Sequence, residues 1–87
     1  MVAEHREEIV KAFSKIPQVQ AIVHGSYESN KTVFILSTMP VFDREVFDRL
    51  IKTELTLSER GIHGHYLFLP VELVEQPPGD VWYTREA

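Results

Sequence analysis

His63-Gly64-His65 places two imidazoles on one side of an extended segment, two residues apart. Imidazole nitrogens suit Zn²⁺, Ni²⁺ and Cu²⁺, and three of them with one open position make a catalytic type of metal site. A third ring, His24, sits near the end of an expected strand whose neighbour begins at His65. His24, His63 and His65 are therefore the candidate metal ligands. Their other chemical use is a pH-sensitive interface, since an unperturbed histidine titrates near ~6.5. The plain alternative is two loop residues, at 63 and 65, and a polar side chain filling a sheet position at 24. The chain has no cysteine, which excludes a disulfide, a thiolate nucleophile and a thiolate metal site. Ser14, Ser26, Ser29, Ser37 and Ser58 have no base beside them in sequence, and no glycine-rich phosphate loop occurs.

Gly25-Ser26 closes an apolar strand that follows a helix. Over residues 5–27 this opening resembles the polymerase-β-like nucleotidyltransferases. In that family a Gly-Ser after the first strand binds phosphate, and an Asp-x-Asp pair nearby holds the metals that drive transfer. The resemblance implies a phosphate contact at Gly25 and Ser26. It departs at the next strand, because Thr32-Val33-Phe34-Ile35-Leu36-Ser37 carries no carboxylate, and Glu28 and Asp43 are single acids at a turn and a cap. Metal-dependent transfer therefore does not carry over, and Gly25 is otherwise a strand-end glycine.

Tyr27, Phe34, Tyr66, Phe68, Trp82 and Tyr83 provide aromatic surface of the kind that stacks RNA bases on an open sheet. Such sheets set basic side chains beside the rings. Here Lys31 is the only lysine or arginine in the strands and turns before the tail, and the formal charge is −4. Nucleic acid is not an expected partner. The aromatics are better read as core and interface, with Trp82 and Tyr83 as anchors that combine area with a polar tip.

These residues need elements to hold them. At 87 residues, 44% hydrophobic and 25% charged, the chain has the make-up of one small folded domain. Residues 3–16 read as a helix striped by Val2, Ile9, Val10, Phe13 and Ile16 and stopped by Pro17. Runs 18–27 and 31–38 read as a hairpin. With Ser29-Asn30 as a two-residue loop, Val23 faces Leu36, Gly25 faces Phe34, Ile22 faces Ser37 and His24 faces Ile35. Residues 43–60 read as a second helix, capped by Asp43 after Pro40, striped by Val46, Phe47, Leu50, Ile51 and Leu55, and ended by Gly61. Residues 65–74 read as a third strand, with Pro70 marking an edge or bulge. A turn at Gln76-Pro77-Pro78-Gly79-Asp80 leads to a short strand or packing arm at Val81-Trp82-Tyr83-Thr84.

The expected fold is an α+β two-layer sandwich, helix-strand-strand-helix-strand, with an antiparallel sheet of order 2-1-3. Both helices lie on one face, and a short fourth strand can follow at the C-terminus. One domain spans 1–75, and 76–87 is its C-terminal turn and packing arm. The pattern is similar to many small bacterial α+β proteins. The charged start Met1–Glu8 is no signal peptide, and no apolar run approaches the ~20 residues of a membrane span, so the chain reads as cytoplasmic without a membrane partner. A sheet covered by helices on one side leaves Ile22, Val33, Ile35 and Phe68 as the expected bare face, joined by Trp82 and Tyr83 as interface residues. Two functional readings follow. The first is a protein-interaction or regulatory module, without cofactor, that pairs with itself or with another protein. The second is a small ligand- or metal-binding protein, conceivably an enzyme, that holds Zn²⁺ or another divalent transition metal at its histidines.

Overall fold

The computed structural model describes residues 2–38, 43–76 and 78–85. A 3-10 turn at Val2–His5 leads into helix α1 (Arg6–Ser14), whose Ile9 and Phe13, one turn apart, are fully buried. Strands β1 (Val19–Tyr27) and β2 (Asn30–Ser37) form the hairpin. Helix α2 (Arg44–Glu59) starts where the Asp43 carboxylate accepts from the Glu45 and Val46 backbone N–H groups at 3.0 and 3.3 Å. It ends in a paired closure: Gly61, at φ 84°, donates to Ser58 at 3.0 Å and Ile62 donates to Leu57 at 2.9 Å. Leu57 and Ile62 are both buried there, which ties the helix end to the core. Strand β3 (His65–Pro70) stops at its proline, a 3-10 turn follows at Val71–Leu73, and β4 (Gly79–Thr84) completes the chain. Pro40, Pro77, the last two positions of the expected arm and the side chain at position 2 lie outside the described residues.

The architecture is α+β, two helices over one four-stranded sheet. The expected strand order needs correction. The order is 3-2-1-4, and the sheet is mixed: β1 pairs antiparallel with β2 and with β4, while β2 pairs parallel with β3. The α2 crossover carries the chain to the outer side of β2 instead of past β1. The place beside β1 is taken by β4, the segment first read as a short strand or arm. The hairpin register also differs from the expected one. Glu28 and Ser29, at φ 50° and 69°, are the two loop residues, and Asn30 already pairs with Tyr27. Two consecutive positive φ angles have the hand of a type I′ turn, which matches the twist of the flanking strands. Ile22 therefore opposes Ile35, Val23 opposes Phe34, His24 opposes Val33, and Gly25 opposes Thr32.

A one-residue slip would have reversed the faces of the hairpin; the difference is two residues, so the sets of side chains sharing a face are kept. Which face the helices cover is the opposite of the expectation. Ile22, Val33 and Ile35 are fully buried beneath α1 and α2, in a cluster with Ile9, Phe13, Val46, Leu50 and Leu57. Phe68 packs partly buried against the same cluster, 6.2 Å from Phe13 and edge-on to Phe47 at 6.0 Å. These four residues are core, not a bare face. The other face holds Val23, Phe34 and Leu36, with Ala21, Leu67, Leu69, Val71 and Val74 packed around them. Its cover comes from the connection between the two edge strands. β3 and β4 are at opposite edges, so the chain after β3 passes from one edge of the sheet to the other, and Val71 and Val74 lie on this second face.

Candidate functional site

The three histidines are held apart by this topology. His24 is on β1 and His65 opens β3, with β2 between them. Two strand spacings separate the backbones by roughly 9–10 Å. Alternation puts His24 on the Ile22 side of the sheet and His65 on the Leu67 side. His63 lies after α2, where its Nδ1 is 3.0 Å from the Ser58 hydroxyl. Among the described residues no three histidine, cysteine or carboxylate side chains gather as a metal site. What the structure gives instead is a serine–histidine contact at an exposed helix end, which joins the first turn past α2 to its last.

Gly25 is required by close approach. A Cβ there would collide with the Pro78 carbonyl oxygen and stand 3.3 Å from Phe34 Cε2. A Cβ on Gly79, its partner on β4, would collide with the His24 carbonyl oxygen and stand 2.7 Å from the Gly25 Cα. The two glycines are the point where the end of the crossing segment is pressed onto β1. Phe34 covers that gap from the diagonal position, not from directly opposite. The space that a phosphate would need at the Gly25-Ser26 strand end is thus occupied at Gly25 by backbone from residue 78.

Trp82 and Tyr83 both reach the helix-side cluster although they are adjacent in sequence. The register of β4 against β1 shifts between Ile22 and Val23, which face Tyr83 and Val81, so Trp82 is an extra residue with no opposite number. Its indole stacks on the His24 ring with centroids 4.7 Å apart and planes 23° apart. The Arg6 guanidinium, on the first residue of α1, stands 5.8 Å from the indole centroid. Between α1 and the indole lies an open groove of about 420 Å³, lined by Arg6, Glu7, Val10, Lys11 and Trp82. The Glu7–Lys11 pair that the i,i+4 spacing permits is not closed. Glu8 pairs with His5 at 3.6 Å and with Arg60 at 3.4 Å, and among the described residues neither Arg6 nor Lys11 is in an ion pair.

Arg85 belongs to no motif in the sequence. Its Nε donates to the Val19 carbonyl at 2.8 Å, and its Nη2 to those of Ser14 at 2.7 Å and Ile16 at 3.1 Å. Its backbone N–H donates to Gln20 at 2.8 Å, and its guanidinium lies 5.7 Å from the Tyr83 ring. The carbonyls at the end of α1 need donors, and that is the one sequence-level signal that could have pointed to an arginine at a strand end. On β3, at the other edge of the helix-covered face, burial pushes the Tyr66 phenol up to about 12, and the Glu54 carboxylate adds to the shift. Burial raises Glu54 as well.

The remaining feature is the outer edge of β4. It is an edge strand, and Val81, on the second-face side beside Val23, is 45% exposed. Leu73, on the crossing segment, is 77% exposed. Among the described residues no helix is long and apolar enough to cross a membrane. No family model matches the chain, no curated protein matches it, and no solved structure matches it.

Proposed function

We propose that the chain is a small protein-interaction module that works as a homodimer, joined edge to edge through β4. The observation that carries this reading is an open edge strand with an exposed valine, next to an apolar face on which, among the described residues, only Val71 and Val74 pack from outside the sheet. Proteins usually blunt such edges with lysine, proline or charge, because unpaired N–H and C=O groups template another strand. Gly79–Thr84 contains neither lysine nor proline and a single charge, Asp80, near its start, whereas the opposite edge, β3, ends in Pro70. Antiparallel pairing of β4 with a second copy of itself would continue the sheet across a two-fold axis and bury Val81 from both copies. Trp82 and Tyr83 then flank the seam and keep the anchor role their size favours. Ile22, Val33, Ile35 and Phe68 take no part, since they lie under the helices.

Sedimentation velocity across the micromolar range tests the reading. The wild-type chain is expected to form a dimer at high micromolar concentration. Val81→Lys, which puts a charge on the seam, is expected to sediment as a monomer with unchanged far-UV circular dichroism. A wild-type chain that stays monomeric throughout overturns the dimer.

A further inference from the structure

We infer that the groove between α1 and β4 is a binding site for a small planar ring that carries an anionic group. The ring would lie against Trp82 and the anion between Arg6 and Lys11. His24 is stacked on the indole and is not among the residues that line the groove. The Arg6 guanidinium stands over the indole at 5.8 Å from the ring centroid, at the outer limit of cation–π range, on a stem whose rotatable bonds let it move aside for a ring. Arg6 and Lys11 are both without an ion-pair partner among the described residues, while Glu8, the next acid along α1, is committed to His5 and Arg60. Among the described residues Glu7 is the only carboxylate lining the groove, against the two cations Arg6 and Lys11. Arginine and lysine are the side chains that bind phosphate and carboxylate groups, and half-buried indoles stack planar rings. A volume of about 420 Å³ falls within the usual range of ~300–1,000 Å³ for small-ligand clefts. Nucleoside monophosphates and aromatic carboxylates share this chemistry.

Trp82 is the only tryptophan in the chain, so its fluorescence reports on the groove directly. Adenosine 5′-monophosphate and benzoate, each titrated up to low millimolar concentration, separate the two sources. At least one is expected to change the emission saturably, and adenosine or benzyl alcohol, which lack the anion, should bind several-fold more weakly. Arg6→Ala and Lys11→Ala should each weaken binding by roughly tenfold or more, the usual loss for a hydrogen bond to a charged group. Glu7→Gln should tighten it. All three residues are exposed, so thermal melts of the variants should match the wild type. That opposite sign is the part a merely structural role of α1 would not produce. No saturable change with either anion overturns the site, and so does equal binding of the neutral analogues or indifference to all three substitutions.

Discussion

Arg85 is the latch on the C-terminal strand. Its guanidinium satisfies three backbone carbonyls at the end of α1 and the start of β1, and its own N–H closes the β4 ladder on Gln20. A planar fork can serve carbonyls on two sides at once, which a lysine ammonium cannot reproduce in the same place. Arg85→Ala is therefore expected to cost about 2–4 kcal/mol, because it leaves partly buried carbonyls without donors. Arg85→Lys should recover only part of that loss in urea denaturation. Gly25 makes the complementary point by what it lacks. Gly25→Ala would drive a methyl into the Pro78 carbonyl and against Phe34, and an overpacked contact of this kind costs about 1–3 kcal/mol. A melting temperature unchanged in Gly25→Ala would show that the crossing segment is not pressed onto β1 as described.

The hairpin turn is the element where local sequence and structure agree least. Positive φ at Glu28 and Ser29 is a conformation that L side chains adopt at a cost of roughly 1–2 kcal/mol per residue, less for asparagine and least for glycine. Replacing the pair by Asn-Gly is expected to stabilise the domain by about 1 kcal/mol with the register unchanged, read as a shift in denaturation midpoint at constant slope. The composition at 28–31 pointed to a turn but not to its centre, because Asn30 is the stronger turn residue and yet belongs to β2. The helices were more legible: α2 lies within one residue of its expected bounds at both ends, since Asp43, the apolar stripe and Gly61 act locally. Strand adjacency was not legible. It depends on whether α2 returns the chain inside or outside the hairpin, and that was decided by the distant Trp82–Arg85 segment filling the place beside β1. The candidate site shared this fate, because moving β3 to the outer side of β2 separates His24 from His65. Between α2 and β3, Tyr66 keeps its proton in the folded state to about pH 12, against ~10 when unfolded. Its contribution is thus fully present below pH ~10 and is lost as the pH rises toward 12. Glu54→Gln removes the carboxylate that adds to this shift. It should move the Tyr66 titration downward in tyrosinate absorbance.

For the molecule as a whole, the two sides of the sheet are stabilised by unequal means. One side has two helices and a cluster that reaches from Ile9 to Ile62; the other has three buried residues and a crossing segment with Leu73 in solvent. A domain of this length without disulfides gains from association, and the dimer proposed through β4 ties that gain to protein concentration. If β4 pairs across a two-fold axis, folding and association are linked. Raising the partner to a hundred times its dissociation constant then adds about 2.7 kcal/mol by mass action. At roughly 4–8 °C per kcal/mol for a domain of this size, the melting temperature of the wild-type chain should climb by ten degrees or more as the concentration is raised a hundredfold past that constant. Val81→Lys should show a melting temperature independent of concentration and equal to that of the wild type at high dilution. Residue 81 is half exposed and makes its cost only at the seam. A flat wild-type profile by calorimetry would mean that the second face is sufficiently closed within one chain, and that β4 is an edge the fold tolerates without pairing.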